Sequence, residues 1–372
     1  MEAAAGLDKL TGIPAAQLWL RPVGLLSGGA ATAALAQAAA LPLAASGLAF
    51  PMIEVLARRT DGEIATALCS LAEARRWAAE RGSAAAARVE SQLERLSAPR
   101  PAWAGLALDR PLLMGIVNVT PDSFSDGGDF AVAERAIEHG RALLDAGADI
   151  LDVGGESTRP GAQPVPAEEE VRRVEPVVRA LAAAGALVSI DSRRAAVMAA
   201  ALTAGARIIN DVSALTGEPE NMAVAARSGA ALVLMHMQGE PRTMQDNPSY
   251  TLASLDVLEY LAARIEACGA AGIPRERIVV DPGIGFGKRS AHNLDIVTRL
   301  ALFQALGCGV MLGISRKGLV GRIGGGLTPK ERLPGSLAGA LYGVSQGVNI
   351  LRVHDVAETR QAVATWQAMA AG

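Results

Sequence analysis

Residues 112–119 read LLMGIVNV, a compact apolar run that passes directly into a polar, glycine-bearing stretch, TPDSFSDGGDF (120–130). A short run without alternating polar positions is typical of a parallel β-strand that is buried on both faces. Seven similar runs follow it, at residues 148–155, 186–191, 206–211, 230–237, 277–283, 309–315 and 348–354. Strands of this kind predict a fold of the α/β class.

Amphipathic segments lie between these runs and have the apolar spacing of helices. They predict helices near residues 131–146, 167–184, 194–204, 219–228, 253–271, 292–306, 329–347 and 355–371. Eight strand–helix units in succession favour a (β/α)8 TIM barrel. The alternative is an open, doubly wound parallel sheet. That fold usually carries a glycine fingerprint directly after its first strand, and none is present here.

The first 97 residues differ from the rest, because they are rich in alanine and have a helical apolar pattern near residues 62–97. We therefore expect a small, mainly helical N-terminal module over residues 1–97, a proline-bearing linker over 98–110, and the barrel over 111–372. Residues 22–53 carry no charged side chain. Pro42, Pro51 and many alanines in this segment argue against a membrane span.

The composition narrows the classes of partner. The formal net charge of −3 over 372 residues gives no reason to expect binding to nucleic acid or to an anionic membrane. The three cysteines are scattered and have neither metal-binding nor disulfide spacing, which favours a reducing cytoplasm. The composition therefore favours a soluble protein whose ligand is a small molecule.

Nearly every predicted strand ends in a group that can carry charge or form hydrogen bonds, and active sites of barrels lie at these ends. Carboxylate and amide groups there suit the flat N–H edge of a heterocycle, whereas cationic groups suit phosphate oxygens. The two sets together predict a ligand with a flat nitrogen heterocycle and an anionic tail. The first set is Asp191, Asn210 and Asp281, the second is Arg159, Arg352 and His354, and Lys317 could serve either.

The segment DPGIGFGK (281–288) invites comparison with a phosphate-binding loop. It fails that pattern, because Pro282 stands at the first glycine position and Arg289 follows the lysine. We expect its glycines to shape a tight loop that turns Phe286 towards the site.

Several long motifs, in this order, resemble the dihydropteroate synthase family over about residues 111–369. They are MGIVNVTPDSFSDGG, DVGGESTRPGA, SIDS, IINDVSAL, LMHMQGEPRTMQ, DPGIGFGK, GISRKG and RVHDV. The resemblance implies a TIM barrel, usually a homodimer. It also implies the Mg²⁺-assisted condensation of 6-hydroxymethyl-7,8-dihydropterin diphosphate with 4-aminobenzoate, with release of pyrophosphate. The N-terminal 97 residues or so are not needed by the minimal family barrel.

The resemblance also implies roles for residues at matching positions. The pterin pocket is expected to comprise Asp191, Asn210, Asp281 and Lys317. The diphosphate contacts are expected from Asn118, Arg159, Arg352 and His354, with Asn118 also a ligand of Mg²⁺. The aminobenzoate side is expected to comprise Thr158, Arg159, Pro160, Phe286 and Ser315. Lys317, Asp191, Arg352 and His354 are the residues expected to act in catalysis.

Two loops, 119–130 and 156–165, resemble the family's mobile active-site loops. Two other functions stay open at this point. One is a non-catalytic pterin-binding paralogue, and the other is a barrel that transfers a methyl group between a folate and a corrinoid.

Overall fold

The computed structural model describes residues 6–44, 46–119, 129–157, 165–240 and 242–371. The structure of the barrel confirms the predicted (β/α)8 architecture. The N-terminal module contains strands as well as the expected helices.

The N-terminal module is built on a three-stranded antiparallel sheet of order β1-β4-β5, with a separate two-stranded sheet of β2 and β3. Helices α2 and α3 follow the last strand. Its elements are β1 (Leu18–Val23), α1 (Gly28–Ala36), β2 (Leu41–Leu43), β3 (Leu48–Phe50), β4 (Met52–Arg58), β5 (Ile64–Ser70), α2 (Leu71–Glu80) and α3 (Ser83–Ser97).

The helical prediction for residues 62–97 is correct for α2 and α3 but wrong for β5. Residues 64–70 alternate between buried and exposed side chains, with Ala65, Ala67 and Cys69 buried. This period of two fits a strand with one face on the core, and β5 pairs with β4 along its whole length. Tertiary pairing thus overrides the helix propensity of alanine. The helix begins only at Leu71, after the N-cap Ser70, whose side chain and that of Glu73 form a capping box.

Residues 22–53 divide into the short elements from β1 to β4. No helix among the described residues is long and apolar enough to cross a membrane.

Eight parallel strands close into a barrel in sequential order, and β13 pairs back onto β6. All eight predicted runs form these strands. They are β6 (Leu112–Asn118), β7 (Ile150–Gly154), β8 (Val188–Asp191), β9 (Ile208–Asp211), β10 (Ala231–Met235), β11 (Ile278–Asp281), β12 (Gly309–Leu312) and β13 (Ile350–Val353).

Helices on the outside of the barrel follow the strands. They are α4 (Asp129–Asp145), α5 (Ala167–Ala183), α6 (Ala195–Ala204), α7 (Asn221–Ser228), α8 (Ala253–Ala270), α9 (Ser290–Thr298), α10 (Gly318–Ile323), α11 (Leu333–Ser345) and α12 (Val356–Ala371). The short helix α10 was not predicted. The helix predicted over 292–306 ends at Thr298 and continues as a buried 3₁₀ segment, Leu300–Leu306. Pro334, in the first turn of α11, separates that helix from the 3₁₀ turn Pro329–Arg332, because proline offers no N–H to a preceding helical carbonyl.

The lower part of the barrel interior is apolar. The inward side chains there come from alternate positions of the strands, as the pleat of a barrel requires. They form one buried cluster of Leu112, Met114, Ile150, Ile208, Ala231, Val233, Val279, Met311 and Ile350.

Trp103 and Leu108, from the predicted linker, join this cluster from below. Trp103 is 1% exposed, and its indole N–H donates to the carbonyl oxygen of Arg277 at 3.0 Å. Arg100, just before them, donates to the carbonyl and side-chain oxygens of Gln304 at 2.9 and 3.0 Å. Residues 98–110 therefore lie across the amino-terminal mouth of the barrel and contribute to its core.

We predict that Trp103→Ala lowers the free energy of unfolding by about 3–5 kcal/mol, since it removes a fully buried indole and leaves a cavity. Denaturant unfolding followed by circular dichroism measures this. Trp366→Ala, at a half-buried position on α12, is the control and should cost clearly less. Equal losses for the two variants would contradict the packing of Trp103 described above.

Candidate active site

The upper layer of the barrel interior is polar, in contrast to the apolar layer beneath it. Moving up each strand by two residues from the apolar cluster gives the next inward position. One such step gives the mainly polar set Asp152, Ser189, Asn210, Asp281, Gly313 and Arg352, with Ile116 and Met235 as its apolar members. A second step gives Asn118, Asp191 and His354. The structure thus gathers most of the predicted site residues at the carboxyl ends of the strands, around a single centre.

Arg352 is the central cation of this layer. Its Nε donates to Asp152 Oδ2 at 2.6 Å, and its Nη2 donates to Asp191 Oδ2 at 2.7 Å. Asn210 donates from Nδ2 to the same Asp152 oxygen at 3.0 Å. The guanidinium therefore links β7, β8 and β13 and holds two carboxylates in fixed positions.

Burial acts strongly on these charges. It raises the pKa of Asp191 to about 7, and the Arg352 guanidinium opposes that rise. Burial alone would lower the pKa of Arg352, but Asp152 and Asp191 hold it above its ordinary value. Arg352 is therefore cationic at every working pH, and its charge favours the ionised form of Asp191 against the effect of burial.

Asp281 and Lys317 are two further charged groups of this layer, and the charge of each acts on the other. Asp281 Oδ1 accepts from the backbone N–H of Gly283 at 2.7 Å. A Cβ placed on Gly313 would lie 3.7 Å from Lys317 Nζ and 3.8 Å from Asp281 Oδ2. Glycine at 313 therefore leaves open space beside both groups. Burial raises the pKa of Asp281 and lowers that of Lys317 to about 8, and each group opposes the shift of the other.

The loop after β11 is held from inside by Lys288, which is 1% exposed. Its Nζ lies 2.9 Å from His236 Nδ1 and donates to the carbonyl oxygens of His236, Gly283 and Phe286 at 2.9–3.1 Å. Burial and, to a lesser extent, the charge of Lys288 together lower the pKa of His236 to about 2, so this imidazole is neutral. Gly283 has φ +68°, and a Cβ there would lie 1.9 Å from the His236 carbonyl oxygen.

This loop presents Phe286 to the site, as the sequence predicts. Lys317 Nζ lies 4.7 Å from the centre of the Phe286 ring and also donates to the carbonyl of Ile284. On the next strands, Ser315 Oγ lies 3.0 Å from His354 Nδ1. Phe286, Ser315 and His354 thus border the mouth above the charged layer.

Asn118 ends β6, and its backbone pairs with Gly154 of β7. It is half-buried at the rim of the barrel.

Thr158, Arg159 and Pro160 lie outside the described residues, as do most residues of the two predicted loops, 120–128 and 158–164.

The ends of the second loop are tied together by Glu156. Its Oε1 accepts from the backbone N–H of Val165 at 3.1 Å and from Arg194 at 3.0 Å, and its Oε2 lies 3.4 Å from Arg193. Because Glu156 precedes the 158–164 segment and Val165 follows it, this ion cluster fixes where the segment leaves the barrel and where it returns.

Two buried charges of the site were not singled out from the sequence. Asp152 lies inside the run ADILDVGG, not at its end, and Lys288 was examined only as part of a failed phosphate-loop pattern. An ionisable residue at an inward position of an otherwise apolar run is a usable signal for Asp152, since such groups are seldom buried without a partner. No comparable signal marks Lys288, because its partners are backbone carbonyls.

Comparison with known proteins agrees with this geometry. The sequence pattern of the family described as "Pterin binding enzyme" matches residues 114–354. The chain is 47% identical over 269 residues to the dihydropteroate synthase of Neisseria meningitidis serogroup B, covering 71% of this chain and 94% of that protein. It is 46% identical over 259 residues to the synthase of Escherichia coli K12, covering 69% and 91%. The chain belongs to the dihydropteroate synthase family.

Solved structures of this family have the same fold. The synthase of Xanthomonas albilineans in complex with 7,8-dihydropteroate superimposes with a TM-score of 0.66 at 44% identity, covering 72% of this chain and 96% of that one. The Yersinia pestis synthase in complex with a sulfonamide drug gives a TM-score of 0.68 at 43% identity, covering 72% and 97%. The family predicted from the motifs is therefore confirmed, and the matches span nearly the whole length of these relatives.

For this dihydropteroate synthase family member, we predict that Lys288→Met lowers the free energy of unfolding by about 3 kcal/mol. The substitution leaves buried carbonyl oxygens of the 282–288 loop without a donor. Thermal and denaturant unfolding measure the loss. Lys330→Met, at an exposed position, is the matched control and should be nearly neutral. A similar effect at both lysines would show that the internal bonds of Lys288 do not stabilise the loop.

Proposed function

We propose that the chain condenses 6-hydroxymethyl-7,8-dihydropterin diphosphate with 4-aminobenzoate, giving 7,8-dihydropteroate and pyrophosphate. The observation that carries this proposal is the buried polar layer at the carboxyl end of the barrel. Its hydrogen-bond acceptors suit the N–H edge of a flat heterocycle, and its two cations, Arg352 and Lys317, suit an anionic tail. Membership of the dihydropteroate synthase family supports the same reaction.

Asp191, Asn210, Asp281 and Lys317 are proposed to bind the pterin. Asp281 Oδ2 lies next to the open space at Gly313, where it can accept from the N–H edge of the heterocycle. Lys317, beside it, can donate to a ring nitrogen or the carbonyl oxygen. The Arg352 guanidinium keeps Asp191 in position while it faces the ligand.

Arg352, His354, Arg159 and Asn118 are proposed to contact the diphosphate. Arg352 is on β13 and His354 directly follows that strand, which pairs with β6, the strand that ends at Asn118. A tail that leaves the pocket in this direction meets Arg352 first. The guanidinium has further N–H groups besides those that donate to Asp152 and Asp191, and these can donate to phosphate oxygens.

Mg²⁺ fits this arrangement as a cofactor. The ion keeps several waters and is usually held by one or two protein oxygens together with substrate phosphates. No cluster of three or more His, Cys, Asp or Glu side chains that could hold a metal exists in the described part of the chain. We therefore propose that Asn118 is its protein ligand and that the diphosphate supplies further oxygens. When bound, Mg²⁺ neutralises charge on the leaving pyrophosphate.

Phe286, Ser315, Thr158, Arg159 and Pro160 are proposed to form the aminobenzoate side. Phe286 offers an aromatic face, and Ser315 a hydroxyl close to His354. In the reaction, the C–O bond between the pterin methylene carbon and the diphosphate breaks, and its electron pair leaves with pyrophosphate. The amine nitrogen then attacks that carbon and loses a proton. No side chain serves as a nucleophile in this S_N1-like path, so Lys317, Asp191, Arg352 and His354 act by holding charge.

A homodimeric assembly and a cytoplasmic location are proposed on the family resemblance. The three cysteines are free and buried, which is compatible with a reducing compartment.

The proposed function is tested by pyrophosphate release from the purified full chain, given the dihydropterin diphosphate, Mg²⁺ and 4-aminobenzoate. Release must require aminobenzoate and Mg²⁺, and the product must have the mass of dihydropteroate. Tight pterin binding without turnover would instead favour a non-catalytic pterin-binding protein.

We predict that Asp281→Asn weakens pterin binding by about 2–3 kcal/mol, because the charge-assisted hydrogen bond to the heterocycle is lost. Calorimetric titration with a pterin that lacks the diphosphate measures the change. Asp246→Asn, an exposed acid in the loop after β10, is the control and should bind as the unmodified chain does. Unchanged affinity in Asp281→Asn would remove this residue from the pocket.

We also predict that kcat/KM for the pterin diphosphate falls as the pH rises through about 8. Lys317 has a lowered pKa near that value, so its ammonium is present below this pH and is lost above it. Lys317→Arg keeps the positive charge and should move the fall to higher pH, even if its maximal rate is lower. An alkaline limb at the same pH in both proteins would exclude Lys317 as its origin.

A further inference from the structure

A cavity of about 250 Å³ lies where the N-terminal module meets the barrel, at the end opposite the active site. We call it the junction cavity. It is lined by side chains from the end of α3, from residues 98–108 and from the segments that lead into β11 and β12. Its lining includes Arg95, Arg100, Trp103, Arg275, Gly307 and Cys308.

Three arginines from different parts of the chain converge on this cavity. The side-chain stems of Arg95 and Arg275 both pass over Gly307, where a Cβ would lie 3.4 Å from Arg95 Cγ and 3.7 Å from Arg275 Cδ. Arg100 is anchored by the backbone carbonyls of Arg95 and Ala98 and by Gln304. Besides burial, the charge of Arg275 lowers the pKa of both Arg95 and Arg100, and an anion among the three would relieve this repulsion.

The arginines are incompletely neutralised by the protein itself. Within the described residues, Arg95 and Arg100 have no carboxylate in ion-pair distance, and Arg100 Nε is buried without a hydrogen-bond acceptor. Arg275 pairs with Glu266 at 2.9 Å, but that glutamate side chain is 75% exposed.

The other acidic groups at the cavity, Glu94 and Glu276, are exposed at its rim. Burial, followed by the charge of Arg275, lowers the pKa of Arg95, and these effects exceed the opposing influence of Glu266 and Glu94. Burial also lowers the pKa of Arg100 to about 10. Arginine keeps its charge at neutral pH, so the cavity is lined by three guanidinium cations, while the acids at its edge are exposed.

We propose that the junction cavity binds a tetrahedral oxyanion of the phosphate class, held by Arg95, Arg100 and Arg275. A dianion would satisfy donors from both the module and the barrel, and so it would join the two. Guanidinium groups match the oxygens of phosphate in geometry as well as charge. The site is separate from the diphosphate contacts proposed for Arg352, which lie at the other end of the strands.

The test is calorimetric titration of the full chain with inorganic phosphate at low ionic strength, in a His354→Gln background. This background weakens the proposed active-site contact but keeps Arg352 on Asp152 and Asp191. We expect binding to persist in that background. Arg95→Gln on the module side and Arg275→Gln on the barrel side should each weaken it by at least about tenfold, because each removes a charged donor. Either variant suffices if the other fails to fold.

Arg76→Gln is the control, because Arg76 is an exposed arginine of α2 that does not line the cavity. It should leave phosphate affinity unchanged. Affinity that is the same in all variants, or that falls equally in Arg76→Gln, would overturn the proposal. A parallel titration with glycerol 3-phosphate distinguishes a free ion from the phosphoryl group of a larger molecule.

Crystals of the full chain soaked in selenate provide the structural readout. The proposal requires an anomalous peak among the three guanidinium groups of the junction cavity. Selenate found only beside Arg352, or only on the outer surface as an adventitious ion, would overturn it.

Discussion

The upper half of the barrel depends on the contact of the Arg352 guanidinium with two carboxylates inside the strands. Asp152 and Asp191 are removed from bulk water, and a buried carboxylate without a partner costs several kcal/mol. Arg352 satisfies both from one side chain, at 2.6 and 2.7 Å. The side chain of Asn210 is held by a hydrogen bond that it donates to the same oxygen of Asp152. The positions of the proposed pterin-binding groups on β8 and β9 thus follow from one cation on β13.

The second constraint is the alternation of side chains along each strand. Inward positions carry apolar groups in the lower layer and polar groups two residues later, as in Ile150 and Asp152, or Ile350 and Arg352. Most outward neighbours, such as Leu151 and Leu351, are apolar and pack in the core between strands and helices, whereas Asp211 at the end of β9 is a buried acid. The same regular strand can therefore place an apolar side chain in the lower core and a polar side chain in the active site at its carboxyl end.

Much of the barrel and of the site could be predicted from sequence, because the strands and the residues that end them are recognised from short segments of the chain. Buried parallel strands read as apolar runs, and the residue that ends each run lies at the active-site face. Asp191, Asn210, Asp281 and Arg352 were identified in this way. Asp152 was not predicted, because only the residue at the end of each run was considered. Alternate residues within a run also face the barrel interior, and Asp152 is one of these. Lys288 was not predicted, because it binds the backbone carbonyls of Gly283 and Phe286. Every residue has such a carbonyl, so the sequence does not mark these partners.

The N-terminal module shows the opposite situation. Strand β5 is rich in small residues, and its sequence alone fits a helix almost as well as a strand. Its pairing with β4 decides the outcome, and that pairing is non-local. The roles of Thr158, Arg159 and Pro160 likewise stay predictions, because these residues lie outside the described part of the chain.

The position of Trp103 also affects where this chain can be shortened. A truncation designed on motif matches alone would begin near residue 111 and would remove the indole and Leu108 from beneath the barrel. The apolar side chains of Leu112, Met114 and Val279 would then face water at the amino-terminal mouth. The minimal chain that preserves a closed interior therefore begins before residue 103, within what the sequence presents as a connecting segment.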